Sequence, residues 1–520
     1  MARVDGDRQV GSGPRVVDGD RQADIGGGVS LTADYIALVA SGLHAIAVSE
    51  IQRVLRPLHV EEVGRPPPSD QWAPNGGDDV FPGTAGVAKL HIRLELPLNA
   101  AGWAAQHQAL RSLKSVQALL ALVGIHSGVA FDAEIGLRTI AEAAGSDVAG
   151  WKRALAILRG LKEGNATGLR TCSPDPCSSD PCSPDPCSPD PCSPDPPSFR
   201  ASAVRDGQHV YNSMDVAQAM AKEVGRLLGW RPQMVGFEVQ AVGILLQHEL
   251  VMGISLSLED KGFRRGKMQV EPRPLLPRAD VTARLRSSTA YLLLQLAQLQ
   301  PGDVLLDPMC GVGTLPLEAA ATAPMVVALA GDHEALLLAQ VGCNAAALHT
   351  AQQLASARSL QFLPLSAAAP GREGEGAGER SKSGRVTDVP AWHYDERWYE
   401  QVARGSGVLG CTWDAARLPL RPRSVDACVI DLPFGMTHKV RNGRSVQDLY
   451  ARVTQQAARV LRPGGRLVLL TPSRPTLEFC LAQQRAYWDE RQDLRVNCGG
   501  ALACVSVWLR THKPYAHPAD

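Results

Sequence analysis

An α/β fold, in which a largely parallel sheet with helices on its faces follows a smaller α+β region, is predicted by three features of this 520-residue chain. Apolar strand-like runs at Val304–Leu306, Val326–Gly331 and Ala427–Ile430 each end in a carboxylate, Asp307, Asp332 and Asp431. Parallel strands deliver polar groups to one edge of a sheet in this way. The first run passes through Gly311 and Gly313 into the helix-like Leu315–Ala323, a strand–turn–helix unit of Rossmann-like type. Upstream, Leu90–Leu96 alternates as a half-buried strand should, and His44–Leu55 is amphipathic at helical spacing. The length calls for two or three domains.

Taken in order, residues 1–29 are polar and Gly-rich, repeat Val-Asp-Gly-Asp-Arg-Gln at 4–9 and 17–22, and lack the apolar core of a signal peptide. They are expected to be disordered. Residues 30–171 open with strand-like Tyr35–Val39, helix His44–Leu55 and strand Leu90–Leu96. Three helical patches follow between His107 and Lys162, the last capped by Ser146 and sharing Trp151, Ala154, Leu155 and Leu158 on one face. Residues 172–198 carry a Cys-Ser-Pro-Asp-Pro-like repeat with five of the 12 cysteines. The repeat has no Cys-x-x-Cys pair and no histidine, so it reads as a low-complexity insert and no metal site is expected.

Residues 199–267 form the next unit. Phe199-Arg200 begins a strand, Arg205-Asp206-Gly207-Gln208-His209 makes a turn, and Tyr211 precedes a helix over Met214–Leu228. Strands are expected at Phe237–Ala241 and Leu250–Leu258. A Pro- and Arg-rich linker, 268–284, leads to the parallel-sheet domain, 285–515, which opens with a helix from Leu285 to Leu299 and carries a Gly/Glu/Arg/Ser/Lys-rich insert at about 367–388. Later elements are a helix over Val446–Leu461, a Pro463-Gly464-Gly465 turn into strand Leu467–Thr471, and an edge hairpin turning at Cys498–Ala501.

Charge decides what the sheet edge holds. A pyrophosphate at Gly311 and Gly313 would be repelled by Asp307, whereas the methionine end of S-adenosylmethionine brings an ammonium that Asp307 can bind. Asp332 lies close to the ~20-residue spacing at which a carboxylate takes ribose hydroxyls. Asp431-Leu432-Pro433-Phe434 suits an exocyclic amine on a nucleobase. Such an amine is a poor nucleophile and must be held by acceptors while its base stacks on an aromatic ring. Pro433 biases Leu432 to an extended conformation, which directs its carbonyl. Lys plus Arg (53) equals Asp plus Glu (53), so nucleic acid must be met by local patches, of which Lys439, Arg441 and Arg444 directly follow Phe434.

Asp307–Thr314 together with Asp431–Gly435 resembles the guanine-N2 RNA methyltransferases that carry an N-terminal THUMP domain, and Leu432, in place of a first proline, matches that group. Residues from Phe199 to about Leu258 resemble the THUMP core. The resemblance implies a class I (Rossmann-like) methyltransferase domain preceded by an α+β ferredoxin-like/THUMP region, with S-adenosylmethionine as cofactor. It implies that Asp307, Gly311, Gly313, Asp332 and Asp414 line the cofactor and that Asp431, Leu432, Pro433 and Phe434 engage the guanine. RNA would meet Lys439, Arg441 and Arg444; Arg286 would meet phosphate or cofactor; Arg205 and His209 serve either as RNA contacts or as turn stabilisers. Asp307–Leu315 leans to the family's type two, which implies U6 small nuclear RNA, with the sister type three and the transfer RNA acceptor stem as the alternative. A catalytically silent RNA-binding scaffold is the competing reading, opposed by four carboxylates at ligand-facing strand ends. The family implies a small zinc-bearing activator subunit as partner. Expected localisation is nuclear, with cytoplasm the alternative, and no run reaches the ~20 apolar residues of a membrane span.

Overall fold

The computed structural model describes residues 31–63, 87–163, 196–256, 285–323, 325–355, 361–364, 407–433, 445–498 and 501–515. Residues 1–29, the Cys repeat up to residue 195, the 268–284 linker, the 367–388 insert, Phe434, Lys439, Arg441 and Arg444 lie outside them.

The first half runs β1 (Thr32–Ala40), α1 (His44–Leu55), β2 (His59–Val63), β3 (Val87–Glu95), α2 (Ala100–Ser112), β4 (Val116–Ser127), α3 (Ala133–Ser146), α4 (Val148–Glu163), β5 (Ser198–Asp206), α5 (Ser213–Leu228), β6 (Arg231–Pro232), β7 (Val239–Leu246) and β8 (Glu249–Ser255). Its described strands form one sheet in the order β2-β3-β1-β4-β8-β7-β5-β6, antiparallel except where β5 pairs with β6 and β7. Residues before and after the Cys repeat therefore share a sheet through the β4–β8 pairing, Leu120 opposite Ser255. Alternate residues on β1 point to opposite faces: Tyr35, Ala37 and Val39 pack in the same core as α1, while Ile36 and Leu38 belong to a separate apolar cluster with Leu120, Val242 and Ile244.

The helix His44–Leu55 forms as expected, and Trp151, Ala154 and Leu158 are buried on α4 with Leu155 partly so. Between His107 and Lys162 the expectation of three helical patches overlooked β4. Its Leu-Leu-Ala-Leu-Val centre is helix-favouring in composition, and a strand buried on both faces loses the alternation that marks a strand. Ser146 does not cap the helix it was assigned to; it is the last residue of α3, and its Oγ donates to the Ala143 carbonyl at 3.0 Å.

The second half runs α6 (Ser287–Ala297), β9 (Val304–Asp307), α7 (Thr314–Thr322), β10 (Val327–Asp332), α8 (Ala335–Ala355), β11 (Gln361–Pro364), β12 (Gly407–Thr412), β13 (Val425–Asp431), α9 (Val446–Val460), β14 (Leu461–Thr471), α10 (Arg474–Ala482), β15 (Trp488–Cys498) and β16 (Ala501–Arg510). Its described strands order as β11-β12-β10-β9-β13-β14-β16-β15, parallel except that β16 runs against both β14 and β15. The expected edge hairpin is thus present. From β9 the chain moves outward through β10, then returns to β13 on the other side of β9. That reversal opens a crevice beyond the carboxyl ends of β9, β10 and β13, where doubly wound sheets bind ligands.

Helix α6 is the joint between the halves. Nearly every residue along it is buried, and the Tyr291 hydroxyl accepts from Arg53 Nη2 of α1 at 3.3 Å. Asn497 N–H of β15 donates to the Ser41 carbonyl at 3.2 Å beside the same contact region. Among the described residues no helix is long and apolar enough to cross a membrane.

Candidate active site

The last residues of β9, β10 and β13 are Asp307, Asp332 and Asp431, so the sheet brings the three predicted carboxylates to one edge. Asp307 is 2% exposed, and its Oδ1 accepts from Met309 N–H at 3.2 Å. Burial, with Asp431 and Asp332 nearby, pushes its carboxyl well above the usual range. A buried acid among acids is a site that gains from a cation.

The turn after β9 is closed by backbone hydrogen bonds, Cys310 N–H to the Gly331 carbonyl at 2.8 Å and Gly313 N–H to the Cys310 carbonyl at 2.8 Å. Gly313 has φ +88° at the entry to α7, a left-handed conformation that favours glycine. Gly311 N–H donates to Asp332 Oδ2 at 3.0 Å, which ties the turn to the end of β10. Asp332 Oδ1 accepts from Glu334 N–H at 3.0 Å and lies 3.1 Å from His333 Nδ1. A carboxylate oxygen accepts along more than one lone pair, so these contacts orient Asp332 without exhausting it for ribose hydroxyls.

Asp414 is exposed in the loop after β12, and its Oδ1 accepts from Ala416 N–H at 2.9 Å. Its neighbour Trp413 has a role that the sequence did not announce. The indole Nε1 donates to the Pro308 carbonyl at 3.1 Å, and the ring lies so close over Gly331 that a Cβ there would sit 1.7 Å from it. One side chain thereby binds the loops after β9 and β12 to the end of β10 in a single cradle.

Asp431 differs from the other two. Its Oδ1 is shut from solvent and has no hydrogen-bond partner among the described residues, and burial pushes its pKa up to about 7. Leu432 is fully buried, and its N–H donates to the Leu470 carbonyl at 2.9 Å. The Pro433 carbonyl accepts from the Tyr450 hydroxyl of α9 at 3.1 Å. Tyr450 was not singled out in the sequence; the available signal is a tyrosine on the apolar face of a helix, since a buried phenol needs a partner.

The structure places Arg205, His209 and Arg286 in intramolecular contacts. Arg205 Nη1 donates to the Gly207 and His209 carbonyls at 2.9 and 3.1 Å, while His209, 7% exposed, donates from Nε2 to the Gln247 carbonyl at 2.7 Å. Burial lowers the His209 pKa, which leaves a neutral ring inside a turn. These two residues hold the end of β5. Arg286 precedes α6, and its Nη1 donates to Gln117 Oε1 at a bulge in β4. This contact joins the helix at the start of the second half to the first sheet. Phe434, Lys439, Arg441 and Arg444 lie outside the described residues.

A sheet of this order with acidic strand ends at its switch point defines the class I methyltransferase fold. The residues fit S-adenosylmethionine on chemical grounds: Asp307 offers a buried carboxylate to the ammonium, Asp332 an oriented carboxylate to the ribose, and Asp431 a buried acceptor beyond them.

Comparison with known proteins agrees with that class. The profile of the RMKL-like methyltransferase domain family matches residues 277–361 and 401–503. The chain is 28% identical over 326 residues to tRNA (guanine(6)-N(2))-methyltransferase THUMP3 of Mus musculus, covering 62% of this chain and 53% of that protein. It is 29% identical over 198 residues to U6 snRNA (guanine-N(2))-methyltransferase THUMPD2 of Bos taurus, covering 38% of this chain and 28% of that protein. The chain thus spans about half the length of the first of these relatives. TrmN from Thermus thermophilus has a similar fold, with a TM-score of 0.53 and 19% identity over 92% of this chain and 100% of that one.

Proposed function

We propose that this chain is an S-adenosylmethionine-dependent RNA methyltransferase that forms N2-methylguanosine, with transfer RNA as its substrate class. The observation that carries the reading is the buried Asp431 Oδ1 at the end of β13, which has no hydrogen-bond partner among the described residues and lies beside the crevice that suits the cofactor. An acceptor left without a donor costs about 1 to 3 kcal/mol, and a site retains one where a ligand supplies the donor. The exocyclic N2 of a flipped guanine is such a donor.

S-adenosylmethionine, when bound, supplies the electrophilic methyl group. Asp307 would hold its ammonium, Asp332 its ribose and Asp414 the adenine amine. Asp431 and the Leu432 carbonyl accept from the guanine N2 and aim its lone pair, with Phe434 as the stacking face. Alignment is the principal contribution of these residues, because the nitrogen becomes acidic as it is alkylated and needs no strong base. Burial around Asp431 strengthens each of these interactions.

The Asp307–Leu315 segment leaned to U6 small nuclear RNA. The extent of similarity favours transfer RNA instead, since the tRNA-modifying relative aligns over 326 residues and the U6-modifying relative over 198. A zinc-bearing activator subunit belongs to this reading as a proposed partner. The test is to incubate the purified full chain with labelled cofactor and either transfer RNA or U6 RNA, with and without the activator. Nucleoside analysis should find N2-methylguanosine in transfer RNA. Modification of U6 alone would reverse the substrate assignment, and methylation of neither would remove the reading.

A further inference from the structure

The chain leaves the Asp431 site through Leu432 and Pro433, and two buried hydroxyls stand behind that exit. Tyr450 and Thr471 are both fully buried, Tyr450 on α9 and Thr471 as the last residue of β14. The Tyr450 hydroxyl donates to the Pro433 carbonyl at 3.1 Å and accepts from Thr471 Oγ1 at 3.2 Å. Thr471 Oγ1 in turn accepts from Ser473 N–H at 3.1 Å. The relay therefore runs from the loop after β14, through two hydroxyls, to the last described carbonyl after β13.

Leu432 is held from its other side by its own N–H on the Leu470 carbonyl. Proline fixes its own φ near −65°, so anchoring the Pro433 carbonyl leaves little freedom between the two tethers. The group between them is the Leu432 carbonyl. Among the described residues no backbone N–H donates to it.

We propose that Tyr450, oriented by Thr471, is a positioning residue that turns the Pro433 carbonyl away from the site and thereby fixes the Leu432 carbonyl toward the acceptor amine. The inference rests on the methyltransferase reading for its activity readout. Tyr450 does not touch the substrate in this arrangement; it acts through the backbone. Burial raises the Tyr450 pKa, so the phenol stays a donor through neutral pH.

The test uses the full chain with Tyr450→Phe, Thr471→Val and Thr471→Ser. Phenylalanine keeps the buried ring, so melting temperature and S-adenosylmethionine affinity should stay close to the parent. Single-turnover methyl transfer should fall roughly tenfold or more in Tyr450→Phe, because sub-ångström misplacement is costly to an aligned attack. Thr471→Val should fall less, and Thr471→Ser should recover the parent rate. Hydrogen exchange at the Leu432 amide should quicken in Tyr450→Phe while that of Ile430 within β13 does not change. A Tyr450→Phe protein that is folded, binds cofactor normally and retains its rate within twofold overturns the proposal. If the parent enzyme methylates no RNA, the functional reading fails by itself, and the amide exchange still decides whether Tyr450 tethers the loop.

Discussion

Asp431 sits at the boundary between stability and chemistry. Its pKa is raised from 3.8 to about 7 by burial, so at neutral pH a comparable share of molecules carries it protonated and ionised. As acceptor it must be ionised, and kcat/KM should rise with pH through about 7 and level above it. Stability runs the opposite way. A carboxyl whose folded pKa exceeds its unfolded one binds more protons in the folded state, so its contribution is full below about pH 4 and is lost as pH rises through 7. The loss is on the order of 4 kcal/mol at most. Asp431→Asn should flatten this part of the melting profile between pH 5 and 8 while abolishing methyl transfer and leaving cofactor affinity within a few-fold. Calorimetry showing equal loss of cofactor binding would move Asp431 out of the acceptor role.

Among elements, the cradle around β10 depends on the absence of a side chain at Gly331. Gly331→Ala forces the Trp413 ring outward, breaks its bond to the Pro308 carbonyl and should weaken S-adenosylmethionine binding by about tenfold, at a stability cost of roughly 1 to 3 kcal/mol. Unaltered cofactor titration in this variant would separate Trp413 from the pocket. The strand-end acids were legible because each follows an apolar run, and the helix at His44 because its apolar residues recur at helical spacing. Trp413 over Gly331 was not, since a contact between a loop and a distant strand end leaves no periodic trace in sequence. Nor was the turn role of Arg205 and His209 decidable, because an Arg-x-Gly-x-His pattern suits both a turn and a phosphate until carbonyl partners are located. The Cys repeat makes a simpler prediction. Replacing 172–195 with a short Gly-Ser linker should leave activity nearly intact, since halving a flexible loop changes closure free energy by only about 0.6 kcal/mol. A zinc-dependent melting temperature lost with the segment would argue for a metal role.

At the scale of the whole molecule, Arg286 on Gln117 and Tyr291 with Arg53 make the connection between the two sheets a structural one. Arg286→Ala should therefore lower the melting temperature by a few degrees and leave the salt dependence of RNA affinity unchanged. Charge reversal at Lys439, Arg441 and Arg444 should do the converse, reducing the salt slope by about 0.7 to 0.9 for each phosphate contact removed. RNA titrations at several salt concentrations distinguish the two; a flatter slope for Arg286→Ala would make it a phosphate ligand.

The pairing of β4 with β8 also bears on the order in which the chain is made. β4 is complete at Ser127, but the strand that covers its outer edge ends at Ser255, beyond the whole Cys repeat. At ~5–20 residues per second, ribosomal synthesis leaves that edge open for on the order of ten seconds. A nascent chain halted before β8 would present a long apolar strand with unpaired N–H and carbonyl groups, a template for joining a second nascent chain. A fragment ending at residue 171 should sediment as aggregate and one ending at residue 256 should stay soluble, so the repeat, whatever its own conformation, divides the sequence at a place where folding cannot pause.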